Sequence, residues 1–564
     1  MKSKIIIYTS FLLTLSFAGS ISAATTEPSL QDAVPKAGVV YELDSDAAED
    51  LQPYKSPWFN DYGVSYNTWR LIDALADGPL HGLNPQSYNI VSLQDKINFY
   101  VSSVKADEYN GPESINDLKG QLDLELSNTF KTYTAHLAKG VLDPQEIQKN
   151  LKRRAPEFNP DNLYSALLSG EIEVDDAIAM ATPQHKQYGR LMVAMRLLLK
   201  ERESGVERTK VAGDKQLKPG SYSPHVGLLR QRLIETGDLS ADTDNSNQFD
   251  EALIAAVKGF QARHGMDTDG RVGKKTRAAL NITIDEDIEQ LVMSLERWRW
   301  MPRDLGYMHI LVNLPSFKLQ MMNGNQKVID MPVIVGAQEH QTPVFSKDVK
   351  FIEVAPTWTV PHKITQNELL PIERRRPGYL KKKGFDFFSY RNGRLEKVAH
   401  SKVTPEEIME NPFPYIVRQQ AGKTNALGKL KILMPNPDAI YLHDTQAKKL
   451  FKNTERAYSH GCIRLSDPDR LAGLIFQIDG KNPQQTKQLL ASKKTKRVRI
   501  KSKIETHLAY FTTWIDEDGK IQKRKDIYWH NARLKRALFE KKTLLAALDK
   551  HFFPLVASLE DQDI

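Results

Sequence analysis

Cys462 is the only cysteine in 564 residues, and it stands in Ala457-Tyr458-Ser459-His460-Gly461-Cys462-Ile463-Arg464-Leu465. Without a second cysteine it cannot be half of an intrachain disulfide. Its neighbours suit a thiolate nucleophile: a glycine that lets substrate approach, positive charge from Arg464, and backbone N–H groups of Gly461 and Cys462, with His460, able to face an oxyanion. The competing reading, a buried inert thiol, fits an arbitrary cysteine better than one in this company. A thiol attacks a carbonyl only as the thiolate, so it needs an oriented base within reach. Two histidines compete for that role, His460 in the same loop and His443 in Ile440-Tyr441-Leu442-His443-Asp444, nineteen residues before the cysteine. Residues two apart on an extended strand have Cβ atoms about 6 to 7 Å apart, whereas residues opposite each other on neighbouring strands stand about 4.5 to 5.5 Å apart. His443 is therefore the expected base, on a strand over 439–442 beside the cysteine loop, and His460 orders the loop or positions substrate. His443, His460 and Cys462 lack a fourth ligand for zinc. Neither metal nor cofactor is expected.

Together His443, Ser459, His460, Gly461, Cys462 and Arg464 resemble the signature of the L,D-transpeptidase catalytic domain, and the resemblance extends through Trp358 and Tyr441. It implies a two-step acyl transfer on peptidoglycan. Cys462 attacks the bond between a diaminopimelate-type third residue and the terminal D-alanine of a tetrapeptide stem, and a neighbouring stem's side-chain amine then takes the acyl group. It also implies that a backbone carbonyl beside His443, from Asp444 or its neighbour, orients the imidazole, with the Asp444 carboxylate as the second candidate. Ser459, His460 and Gly461 support the loop or the oxyanion. Arg464, Tyr441 and Trp358 contact substrate, Arg464 either neutralising a carboxylate or fixing the loop. A carbapenem is an expected covalent inhibitor, and other cell-wall synthesis proteins are candidate partners. Papain-like and wall thiol endopeptidases place cysteine before histidine, the reverse of this order. A carboxypeptidase using water as acceptor and a non-catalytic wall-binding scaffold remain alternatives.

These residues need a multidomain α+β frame, since single cores stop growing well before this length. Lys2 and Lys4, the apolar run 5–17 and the small residues to Ala24 predict a secretory signal peptide over 1–24, and hence a periplasmic address. Residues 25–55 read as a flexible leader. Over 56–215 the period is helical: Ile115, Leu118, Leu122, Leu126 and Phe130 precede a stop at Gly140, and Thr182-Pro183 reads as the start of another helix. Three short amphipathic helices over 222–282 resemble a peptidoglycan-binding domain. Asp267 and Asp269 make no calcium loop, because Arg271 takes the third ligand position. A connecting helix spans 283–304.

From 305 to 530 the pattern becomes mainly β, with strands over 309–314, 317–322, 328–335, 349–354, 429–434, 439–442, 497–500, 508–515 and 525–529 and a hairpin turn at Asn323-Gly324. Inside this catalytic domain, residues 363–424 break the strand rhythm with Arg374-Arg375-Arg376 and Lys381-Lys382-Lys383 among aromatics. The resemblance implies that this stretch is a substrate-capping insertion. A helical tail covers 531–564. The net charge of +8 would suit nucleic acid inside a cell. In an exported protein no nucleic acid is expected, and acidic wall peptides are the matching partner.

Overall fold

The computed structural model describes residues 55–106, 114–147, 150–213, 215–242 and 246–539. The signal, the leader up to residue 54 and the tail beyond 539 lie outside the described residues. None of the described helices is long and apolar enough to cross a membrane.

The helical region is built around Ile115–Lys139, started by a reciprocal capping box between Ser114 and Asp117 and closed at Gly140. Leu122, Leu126 and Phe130 are buried in a core shared with Trp58, Leu71 and Leu75. Thr182 ends the helix Val174–Ala181 instead of opening the next one, which runs Lys186–Glu203 from His185. Proline after Thr182 excludes continuation of the first helix, so the dipeptide marks a stop.

The helices Pro224–Glu235, Glu251–Arg263 and Lys274–Leu280 enclose their own small core around Leu229, Leu253, Val257 and Phe260. This unit is bolted to the hairpin formed by Thr513–Ile515 and Ile521–Lys523. Arg263 Nη1 donates to Ile521 O at 3.1 Å and Arg524 Nη1 to Arg263 O at 2.8 Å.

The helix Ile284–Arg299 is more than a connector. Its Leu291, Val292 and Leu295 pack with Tyr188 and Leu191 of the helical region and with Phe511 of the β region. Glu296 and Arg299 on it are fully buried and paired at 2.5 Å. Glu296 Oε1 accepts the Val141 and Leu142 N–H groups, both at 2.9 Å, and Arg299 Nη1 donates to His81 O at 2.6 Å. Such a pair is tolerable inside a protein only because its remaining polar atoms are also satisfied.

The β region is an eleven-stranded sheet. Its strands are β1 (Met308–Asn313), β2 (Lys318–Asn323), β3 (Gln326–Gly336), β4 (Ser346–Asp348), β5 (Phe351–Val354), β6 (Leu430–Leu433), β7 (Tyr441–His443), β8 (Ala457–Ser459), β9 (Ile463–Leu465), β10 (Lys496–Arg499) and β11 (Glu505–Ala509). The order is β10-β5-β6-β7-β9-β3-β2-β1-β11-β4, with β8 beside β3. The run expected over 508–515 divides into β11 and the first hairpin strand, and 525–529 forms no strand; the hairpin's return strand is Ile521–Lys523. Ala439 has φ +52, so the histidine strand starts two residues later than its β-rich sequence suggests.

Register is fixed by one buried row. Ile352, Ile432, Leu442 and Ile463 are directly paired across β5, β6, β7 and β9, and all are fully buried. A one-residue slip would turn these four side chains to the other face, at a cost of roughly 6 to 12 kcal/mol.

Residues 363–424 are not a loose excursion. With Trp358–Thr359 they form a separate four-stranded sheet from Phe385–Arg391, Arg394–Val398 and Ile416–Gln419. Leu370, Leu380, Phe385, Phe387 and Val417 make its core. Their outward row mixes Phe388, Tyr390, Leu395 and Ile416 with Asp386, Lys397 and Arg418, so the apolar and polar residues do not alternate cleanly.

Candidate active site

If one paired row faces the core, the adjacent row must face the other way. That row is Glu353, Lys431, His443 and Arg464, opposite one another on β5, β6, β7 and β9. Cys462 immediately precedes β9, two residues before Arg464, and continues the same face. Tyr441, two before His443, does so on β7. The sheet thus brings thiol, imidazole, phenol and guanidinium onto one surface.

His443 is buried, and its Nδ1 lies 2.5 Å from Asp444 O. A carbonyl only accepts, so Nδ1 carries the proton and Nε2 keeps the free lone pair. The Asp444 carboxylate is turned elsewhere: Oδ2 accepts Lys429 N–H at 2.8 Å and Oδ1 pairs with Lys448 at 2.7 Å. It packs against Gly428, whose φ is +62 and where an added Cβ would meet Oδ2 at 2.2 Å. Of the two orienting groups considered, the carbonyl is the one used.

Burial pushes His443 down to about 3, with the Arg464 charge acting in the same direction. Burial pushes the Cys462 thiol up to about 11, against hydrogen bonding from the Tyr441 backbone and hydroxyl and the Arg464 charge. Burial thus disfavours the imidazolium and the thiolate alike. Sγ also donates to Ala439 O, at 3.8 Å. The Tyr441 hydroxyl interacts with both Cys462 and Trp358, which ties the edge of the insertion to the thiol. Among the described residues Arg464 has no carboxylate in ion-pair range, so its charge is available to an anionic ligand.

The cysteine loop is held by its own side chains. Ser459 Oγ donates to Cys462 O at 2.5 Å and accepts Gly461 N–H at 3.1 Å. Gly461 N–H is thus spent on the loop. Gly461 has φ +105, and a Cβ there would press on Ile440 Cδ1 at 3.2 Å. Sequence reasoning missed Thr342, a buried residue whose Oγ1 donates to Gly461 O at 2.7 Å and accepts Gly336 N–H at 2.9 Å. It missed Tyr528, whose hydroxyl donates to Gly336 O at 2.7 Å. It also missed Lys431, paired with Glu353 at 3.0 Å beside the imidazole. These act across strands far apart in sequence, and nothing in their local spacing announces it. His460 Nε2 meets Glu368 Oε1 of the insertion at 2.6 Å, and its ring centroid lies 4.5 Å from that of His340.

A histidine and a cysteine on one sheet face are the pair of side chains that cysteine acyltransferases and hydrolases use. Residues 307–482 match the L,D-transpeptidase catalytic domain model of the YkuD type, residues 51–195 a scaffold domain, and residues 222–280 a "Putative peptidoglycan binding domain". A curated Haemophilus influenzae protein, "Putative L,D-transpeptidase", is 34% identical over 249 residues, which are 44% of this chain and 49% of that one. The chain thus spans about half the length of that relative. An L,D-transpeptidase structure from Xylanimonas cellulosilytica aligns at 14% identity over 53% of this chain and 98% of its own, with a TM-score of 0.16. One from Stackebrandtia nassauensis aligns at 12% identity over 54% and 96%, with a TM-score of 0.20. These scores are too low to carry the assignment, which rests on the domain models and the sequence relative. The chain carries an L,D-transpeptidase catalytic domain together with a peptidoglycan-binding domain.

Proposed function

We propose that the protein cross-links peptidoglycan through a Cys462 thioester. The observation that carries this reading is the shared sheet face of Cys462 and His443, with the imidazole's second nitrogen locked to Asp444 O. His443 Nε2 takes the thiol proton as Sγ bonds to the carbonyl carbon of the stem's third residue. The oxyanion leans on Cys462 N–H. Collapse breaks the amide C–N bond, and His443 returns the proton to the departing D-alanine amine. The side-chain amine of a second stem then attacks the thioester, gives its proton to His443, and releases the thiol. Arg464 would take a stem carboxylate, with Tyr441 and Trp358 beside the thiol lining the approach. The insertion, joined to the loop through Glu368 and His460, would cap the site and keep water from replacing the amine. Such a substrate would put the protein in the envelope, the address expected from residues 1–24.

Incubating the purified chain with soluble tetrapeptide-stem fragments and weighing the products by mass spectrometry tests the proposal. Cross-linked dimers with loss of D-alanine are expected. Trimmed monomers alone would make it a carboxypeptidase, and unchanged fragments would leave a wall-binding scaffold.

A further inference from the structure

Residues 363–424 contain thirteen Lys and Arg against seven Asp and Glu, so +6 of the chain's net +8 sits in this one segment. Its densest part is the turn joining the helices Leu370–Arg375 and Tyr379–Lys382. Arg374, Arg375, Arg376, Lys381, Lys382 and Lys383 are all exposed there. Among the described residues none of the six has a carboxylate in ion-pair range, although Asp and Glu are common in the same segment. Arg374 donates to Ile408 O at 2.8 Å and Arg375 to Pro371 O at 3.1 Å, contacts that orient the guanidinium groups without neutralising them.

The turn is built to hold its shape. Glu373 is buried between the two triplets and accepts Gly378 N–H at 2.6 Å and Leu380 N–H at 2.7 Å, so the nearest acid is consumed in fastening the backbone. Leu370 and Leu380 anchor it in the insertion's core, and Gln419 Nε2 holds Lys383 O at 3.0 Å. A solvated charge run would need none of this. Like charges held together raise the local potential and favour a partner that presents several anions at once.

We propose that this ridge is a second wall-binding surface, recognising the carboxylates of neighbouring peptide stems on polymeric peptidoglycan, separate from the three-helix unit over 222–280. The choice of polymer rests on the substrate reading above. Position supports it: Glu368, which holds His460, lies on the same run of helix only six residues before Arg374, about 9 Å along the axis. A polymer gripped at the ridge would thus lie beside the stem being processed.

The test is co-sedimentation of the full chain with insoluble peptidoglycan, comparing the native protein with a variant carrying Arg→Gln at 374–376 and Lys→Gln at 381–383. At low salt the variant should bind about tenfold more weakly or worse, and the difference should vanish above about 0.5 M salt. Peptidoglycan whose carboxylates have been amidated should bind the native protein no better than the variant. An unchanged melting temperature shows that the variant is folded; if it is not, the two triplets are changed separately. Unaltered binding in folded variants, or equal binding of native and amidated wall, overturns the proposal. So does a ridge that retains phosphatidylglycerol vesicles while ignoring wall. Cross-linking of soluble fragments is a separate readout: its absence in the native protein would refute the catalytic reading while sedimentation still reports on the ridge.

Discussion

His460 Nε2 lies 2.6 Å from Glu368 Oε1, so the residue two before Cys462 is held by the insertion. In the proposed reaction the base is His443. Its replacement by Ala should abolish acylation of Cys462 by a carbapenem nearly as completely as Cys462→Ala, because members of one nucleophile–base unit fail together. His460→Ala and Glu368→Gln should slow acylation by about tenfold or less, leaving a residual rate well above that of either deletion. Intact-protein mass over time distinguishes them. Normal acylation of His443→Ala with loss in His460→Ala would reverse the roles.

The neutral pairing of Cys462, pushed up to about 11, with His443, pushed down to about 3, predicts a sluggish thiol in the free protein. Alkylation by iodoacetamide should be slow at neutral pH and rise about tenfold per pH unit on the alkaline side, following the thiolate fraction. A rate already at its plateau near neutrality would mean that a thiolate–imidazolium pair exists before substrate arrives.

Thr342 ties Gly336 to Gly461 through one hydroxyl. Thr342→Val keeps the shape and removes both bonds, which should cost about 1 to 3 kcal/mol of stability and loosen the nucleophile loop. Acylation should fall more than the shift in unfolding midpoint explains. Equal acylation rates in the two proteins would confine Thr342 to packing.

Glu296→Ala strands the Arg299 charge in a fully buried setting and frees two N–H groups at the junction of the helical region with Ile284–Arg299. A loss of about 3 to 5 kcal/mol is expected, read as a lower urea midpoint. A midpoint within error of the native protein's would show that the pair is replaceable.

Burial holds His81, His443, His507 and His530 down to about 3, His185 to about 4 and His264 to about 2. Below the ordinary histidine value near 6.5 the unfolded chain takes up protons that the folded chain refuses. Stability is therefore complete above about pH 6.5 and is lost as the pH falls towards about 3, at up to about 1.4 kcal/mol per pH unit for each histidine. Urea midpoints at about pH 8 and about pH 5 measure this. A midpoint that holds steady or rises on acidification contradicts it.

How much of this was legible beforehand follows from where the information sits. The candidate cysteine and histidine, the three short helices and most strands of the sheet could be read from the sequence, because a lone cysteine in its motif, a period of 3.6 and a period of 2 are local signals. Thr182-Pro183 misled for a local reason too, since the same pair that opens helices also closes them. What only the tertiary structure decided lies in strand register and in contacts between distant segments. The row Ile352, Ile432, Leu442 and Ile463 sets which way every neighbour points, and so places Lys431, His443 and Arg464 on one face. The orientation of Asp444, the diversion of Gly461 N–H to Ser459, the grip of Thr342 on the loop and the pairing of His460 with Glu368 depend on side chains meeting across folds of the chain. A sequence names the groups able to react; only packing determines which hydrogen bonds they have left to give.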